Sequence, residues 1–273
     1  MPRHRPLALV ATFGLLVAAC ASGPTPQLSG SPAPSVAPAD LTIFAAASLR
    51  GALGKAKPAW EATQPGSTLT IATDSSSALE IQIEQGAPAD VFLSADPSNP
   101  QKLVDKGFAT APAVTFARNE LTIIVPLANP AAITTPADLA RAGIKVIAAG
   151  DEVPITKYAT QLVANLATET ADPSRFVAGY SANIASKEDN VKAIVAKIEL
   201  GEGDAGIVYV TDARASSKVT TIDVPVSANP PATYAGVVVM ASPNAAAAQA
   251  FLAWFAGPDG QVILAGFGFL PAP

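Results

Sequence analysis

From about residue 40 onward the chain is a succession of short apolar blocks separated by polar breaks marked by glycine and proline. Leu41-Thr42-Ile43-Phe44-Ala45 has strand length and almost no polar side, the pattern of a strand covered on both faces. Ser48 then opens a predicted helix running toward residue 62, with Pro58 inside it as a kink. A second strand is expected over 68–72. The helix after it covers 78–85, where Ser77 and Glu80 stand at capping-box spacing, and Gly86-Ala87-Pro88 ends it. A third strand follows over 90–94. Further strands are expected over 121–125, 144–148, 205–210 and 234–240. Helices are expected to start at Thr135-Pro136, at Pro154 (to about 166), at Val191 behind Asp189-Asn190 (to 200) and after Asn244 (through Phe255). Strands alternating with helices predict an α/β architecture with mostly parallel sheets.

The first forty residues do not share this pattern. Arg3 and Arg5 precede an apolar stretch over 7–19 that is too short for a comfortable membrane span. It ends in Val17-Ala18-Ala19-Cys20, which resembles a bacterial lipobox. That resemblance implies a lipoprotein signal peptide over 1–19 and a diacylglycerol on Cys20, the only cysteine in the chain. Residues 20–39 are rich in Pro, Ser, Gly and Ala and read as a solvated tether.

Composition narrows the chemistry. The chain is 49% hydrophobic and 14% charged, so it can build real cores, and its pI of about 4.9 with no basic block excludes a dedicated nucleic-acid binder. Removal of residues 1–19 leaves 15 basic against 22 acidic side chains, a net charge of −7, and no histidine. Ser–His and Cys–His nucleophilic catalysis and imidazole- or thiolate-based zinc sites are thereby excluded. Glycine-rich phosphate loops and a nucleophile elbow are also missing from the sequence.

Three segments place small or hydroxyl residues where a strand gives way to a helix: Ala45-Ala46-Ala47-Ser48-Leu49, Asp74-Ser75-Ser76-Ser77-Ala78 and Asp189-Asn190-Val191. Each serine alone is an ordinary N-cap. Three helix starts of this kind, at the carboxyl ends of strands, instead favour an anion site built from free N–H groups and hydroxyls. Trp60, Phe92, Trp254 and Phe255 read as core, and Glu80 and Glu84 as solvated helix residues. Asp90 and Asp96 read as strand-end turn residues rather than an acid–base pair.

The segments AAASL (45–49), SSSAL (75–79), GAPADVFLSAD (86–96), GDEVP (150–154), EDNV (188–191), DAGIVYVTDA (204–213) and GPDGQVILAGFGF (257–269) together resemble the periplasmic molybdate-binding proteins of ABC-type importers. The resemblance implies a two-lobed type II periplasmic binding protein fold, each lobe a mostly parallel sheet flanked by helices. Lobe I is expected over 40–120 and 224–273, and lobe II over 121–223. It implies an oxyanion held by the hydroxyls of Ser48, Ser76 and Tyr209 and by backbone N–H groups of Ile155 and Val191. The ligand would thus be molybdate or tungstate, with molybdenum bound as the oxyanion and not as a free cation, with no cofactor and no catalysis. The implied partner is the membrane permease of an ABC importer. The expected protein is a monomer held by its lipid on the outer face of the cytoplasmic membrane. A receptor for sulfate or thiosulfate is the alternative within this class, and a carboxylate-dependent surface hydrolase the alternative outside it. Arg50 and Lys157 lie close enough in sequence to the implied contacts that either is a candidate cation for the site.

Overall fold

The computed structural model describes Met1, Pro2 and residues 37–272, so Cys20 and residues 3–36 of the expected signal peptide and tether lie outside the described residues. From Asp40 the chain forms β1 (Asp40–Ala46), a 3-10 turn (Ala47–Leu49), α1 (Arg50–Thr63), β2 (Thr68–Asp74), α2 (Ser76–Glu84), β3 (Val91–Ser94), α3 (Ser98–Asp105) and β4 (Val114–Asn119). After Glu120 it enters β5 (Leu121–Pro126), a second 3-10 turn (Pro136–Ala140), β6 (Val146–Ala149), α4 (Pro154–Ala167), α5 (Pro173–Ala182) and β7 (Ile184–Glu188). α6 (Val191–Glu199), β8 (Ala205–Tyr209), α7 (Val210–Arg214) and β9 (Val219–Ile222) follow, before β10 (Ala232–Val238), α8 (Ala245–Ala256), α9 (Pro258–Gly266) and β11 (Leu270–Pro271).

Two sheets result, ordered β11-β4-β10-β3-β1-β2 and β7-β6-β8-β5-β9, each flanked by helices. The chain passes between them twice, and Asn229 ties the two passages together. Its Nδ2 donates to the Leu121 carbonyl (2.7 Å), and its Oδ1 accepts the Leu121 N–H (3.0 Å). The two-lobed α/β architecture is as expected, but the strand sense needs correction. Parallel pairing is confined to β1 with β2 and β3, and to β6 with β7 and β8. β10 runs antiparallel to β3 and β4, and β5 antiparallel to β8 and β9, so each sheet is mixed. Parallel neighbours come from crossover helices within a lobe, whereas β4, β5 and β10 flank the passages between lobes and owe their direction to those passages.

The apolar runs of β1, β3, β5 and β8 are buried along nearly their whole length, as strands covered by helices on both faces must be. Trp60, Phe92 and Phe255 are core residues, and Trp254 packs half-buried against Trp60 with ring centroids 5.4 Å apart. Pro58 lies inside α1 without ending it.

Several capping expectations fail for one reason: another partner takes the side chain. Ser48 sits within the first 3-10 turn and makes no cap; its hydroxyl turns to Tyr234. The N-cap of α2 is Ser75, accepting from the Ala78 N–H, so Ser77 and Glu80 form no capping box. Glu80 is buried, not solvated. Burial raises its carboxyl above the usual range, and the Lys102 and Lys106 ammoniums lie 3.8 and 3.9 Å away. Asn244 precedes α8, but its Nδ2 donates to the Asp40 carbonyl and its side chain makes no cap. Asn190 does cap α6, through Oδ1 and the Ala193 N–H.

Asp90 and Asp96 organise turns. Asp90 accepts from the Thr42 N–H (2.7 Å) and the Ser242 hydroxyl (2.5 Å). Asp96 accepts from the Ser94 hydroxyl and from both the backbone and side-chain nitrogens of Asn99.

Candidate functional site

Five loops at strand ends converge on one small cavity. From the first lobe come the 3-10 turn after β1, bringing Ser48, and the β2–α2 turn, bringing Ser76. The second lobe contributes the start of α4 with Ile155, the start of α6 with Val191, and the end of β8 with Tyr209. Ala46, Ala47 and Ala95 complete the wall on the first side; their small side chains let the backbone come close to whatever the cavity holds. All five residues implied by the sequence thus line the same space. Bringing them together takes both lobes, which no local pattern encodes.

The two serines are almost fully buried, and each oxygen already has a partner. The Ser76 Oγ accepts the Ala95 N–H at 3.0 Å, so its own hydrogen is free to be donated into the cavity. The Ser48 Oγ lies 2.9 Å from the Tyr234 hydroxyl. Ile155 and Val191 bury their apolar side chains in the core. They stand at the second position of α4 and the first of α6, where backbone N–H groups have no partner within the helix. The helix dipoles add partial positive charge there. Tyr209 is only 1% exposed and its hydroxyl has no hydrogen-bond partner among the described residues. Burial, reinforced by the neighbouring Tyr234 and Tyr158, raises its pKa well above the ordinary phenol value, so it stays a neutral donor. A buried hydroxyl without a partner costs free energy unless a ligand supplies the acceptor.

A family profile described as bacterial extracellular solute-binding protein matches residues 41–270. The chain belongs to the bacterial extracellular solute-binding proteins. Among relatives of this solute-binding protein, the molybdate-binding protein ModA of Mycobacterium tuberculosis is 32% identical over 262 residues, spanning 94% of this chain and 96% of that one. The periplasmic molybdate-binding protein of Azotobacter vinelandii superposes with a TM-score of 0.72 at 24% identity, covering 85% of this chain and 100% of that one. The sulfate-binding protein SubI of M. tuberculosis reaches a TM-score of 0.76 at 21% identity, covering 86% of this chain and 87% of that one. These two likenesses are likenesses of fold. Membership of the family makes this a binding component of an ABC importer, not an enzyme.

Among the described residues, no Lys or Arg side chain lines the solute-binding protein's cavity. The Arg50 Nε donates to Thr73 Oγ1 at the surface (3.1 Å), and Lys157 points to the Ser98 hydroxyl (3.5 Å). Lys192, next to Val191, is taken up by the fully buried Asp212 at 2.7 Å. The one ionisable side chain in the wall besides Tyr209 is acidic: Asp74, at the end of β2. Its Oδ1 accepts the Ser75 N–H (2.8 Å) and the Asn190 Nδ2 (3.0 Å). That second bond runs from the first lobe to the cap of α6 in the second, directly beside Val191, so Asn190 both caps a helix and joins the lobes at the cavity. Sequence reasoning placed Asp74 only within its serine run, Asn190 only as a cap, and Tyr234 only in a strand. Their roles depend on contacts spanning more than a hundred residues.

Proposed function

We propose that this protein is a receptor for molybdate, and also for tungstate, which it encloses between its lobes and passes to the permease of an ABC importer. The observation that carries the reading is the set of neutral hydrogen-bond donors around one small cavity, above all the buried Tyr209 hydroxyl with no acceptor among the described residues. Ser48, Ser76 and Tyr209 would donate through hydroxyls, and Ile155 and Val191 through backbone N–H groups. Such a set suits an anion whose oxygens are all acceptors. A spacing matched to a larger tetrahedral dianion leaves sulfate with unmade bonds. The relatives named for molybdate binding support the choice of ligand. Lobe I is assigned to 40–120 and 224–273 and lobe II to 121–223, with closure about the two passages that Asn229 staples. The lipobox-like Val17-Ala18-Ala19-Cys20 supports diacylation of Cys20. The protein would then be a monomer tethered by residues 20–39 to the outer face of the cytoplasmic membrane.

Calorimetric titration of the chain from residue 21 with molybdate, tungstate, sulfate and phosphate tests the ligand. Molybdate and tungstate are expected to bind at least a hundredfold more tightly than the other two, about 2.7 kcal/mol in discrimination. Sulfate binding as tight as molybdate binding would overturn the assignment. Metabolic labelling with a fatty acid, in wild type and Cys20→Ser, tests the anchor; label retained in the variant would refute it.

A further inference from the structure

The two serines of the cavity are not equivalent. Ser76 is committed as a donor by a backbone group, since an N–H can only donate and the Ala95 N–H occupies its oxygen. Ser48 faces another hydroxyl, Tyr234, and a pair of hydroxyls can bond in either direction. In one direction the Ser48 hydrogen points at Tyr234 and is lost to the cavity; in the other it is available to a ligand.

The surroundings of Tyr234 decide between them. Its ring is fully buried in β10, edge-on to Phe116, Phe269 and Tyr209. Besides Ser48, its hydroxyl has one further hydrogen-bond partner among the described residues, the Asn119 Nδ2 at 3.4 Å. The orientation of the Asn119 amide is set in turn. Its Oδ1 accepts the Glu120 N–H at 3.0 Å, and its Nδ2 gives its better bond to Thr211 Oγ1 at 2.9 Å. An amide nitrogen only donates, so the Tyr234 oxygen accepts on that side and sends its own hydrogen to Ser48. The Ser48 oxygen is then an acceptor toward Tyr234, and its hydrogen is left for the cavity. The polarity of the chain runs from a backbone N–H at the passage between lobes, through Asn119 and Tyr234, to the serine.

We infer that Tyr234, oriented by Asn119, is a positioning residue that fixes Ser48 as a hydrogen-bond donor toward the bound oxyanion. The inference rests on the proposed role of Ser48 in anion binding. The energetic reasoning is that of preorganisation: a hydroxyl already turned toward the ligand does not have to give up another bond to reach it. Burial also raises the Tyr234 pKa well above its ordinary value, so the phenol keeps the proton the relay needs.

A double-mutant cycle tests it by molybdate titration. Tyr234→Phe is expected to weaken binding by about tenfold, because the Ser48 hydroxyl stays but is no longer held in the donor orientation. In a Ser48→Ala background the same substitution is expected to change binding by less than about twofold, because Tyr234 acts through Ser48. A tenfold loss in both backgrounds would mean that Tyr234 only supports the fold, and would overturn the inference. A neutron structure of the deuterated, anion-free protein reads the polarity directly and needs neither a variant nor a ligand. Deuterium on the Tyr234 oxygen, directed at Ser48, is expected; deuterium on Ser48 directed at Tyr234 would overturn the inference whatever the titrations give. Should the wild-type protein bind no molybdate, the functional reading falls, while the neutron map still decides the direction of the bond.

Discussion

The two walls of the cavity do the same job with different parts of the chain. The first lobe offers side chains: Ser48 and Ser76, each with its oxygen already hydrogen-bonded within the protein. The second lobe offers mainly backbone, at the starts of α4 and α6, where Ile155 and Val191 turn apolar side chains into the core; its Tyr209 hydroxyl has no hydrogen-bond partner among the described residues. On the first wall the residue type is the donor, so a substitution removes it. On the second wall the helix start is the donor, and the residue type matters to packing. On the proposed reading an anion is held by neutral donors in a protein with a negative net charge, because the attraction comes from aligned short-range dipoles.

Ser76→Ala should give the largest effect. It removes a proposed donor to the anion and also strips the buried Ala95 N–H of its acceptor. Molybdate affinity is expected to fall by about a hundredfold, and unfolding free energy without ligand by about 1–3 kcal/mol. Titration calorimetry and urea denaturation measure the two losses. A variant that binds as wild type would reduce Ser76 to a structural hydroxyl.

Tyr209→Phe separates the walls more cleanly. It should weaken binding by about tenfold, since one hydrogen bond to a charged ligand is lost. Yet the hydroxyl has no partner to lose among the described residues, so the ligand-free protein should be as stable as wild type or slightly more so. Thermal melts with and without molybdate read both. A destabilised ligand-free variant would show that the hydroxyl has a structural partner.

Val191→Ala carries the comparison to the backbone donor. The side chain is buried in the core, so about 1–2 kcal/mol of stability should go. The N–H at the start of α6 remains, and Asn190 still caps the helix. Affinity should therefore change by less than about threefold, a bound set by modest loosening of the helix start. A loss as large as that of Ser76→Ala would mean that the isopropyl group itself shapes the cavity.

The same division explains what was legible in the sequence. β1, β3, β5, β8, α4 and α6 were readable to within a residue or two, because apolar runs and caps such as Pro154 and Asn190 are local signals. Elements resting on few buried residues were missed. β7 and β9 are edge strands with half-exposed, polar sequences, and α5 buries only Phe176 and Tyr180. α9 contains Gly260, which reads as a breaker. The structure needs it, because a Cβ there would lie 2.0 Å from the Phe255 carbonyl oxygen where α9 crosses the end of α8. In the cavity, the hydroxyl wall was visible as Ser48 and the serine run. The backbone donors entered only through family resemblance, since nothing in the letters Ile155 or Val191 announces an N–H. Asn119, Tyr234 and Asp74 acquire their roles from contacts across the fold.

The smallest expected effects are those of pH and salt, and their smallness is itself the test of a site without cations. Ser hydroxyls and backbone groups do not titrate in the working range, and the Tyr209 phenol is held protonated well past its ordinary pKa by burial. Raising the pH from about 6 to 9 should therefore leave affinity unchanged within about twofold, because the site gains or loses no charge. Salt acts on approach rather than on contact. Arg50 and Lys157 are engaged by Thr73 and Ser98 at the surface, and the chain from Cys20 onward carries a net charge of −7. A dianion is then weakly repelled at long range, and screening should leave its association rate unchanged or raise it slightly. Stopped-flow fluorescence at low and high sodium chloride measures the sign. A steep fall in association rate with salt would place a lysine or arginine in the path of the anion and end the contrast between hydroxyl and backbone walls, since a cation would then dominate both.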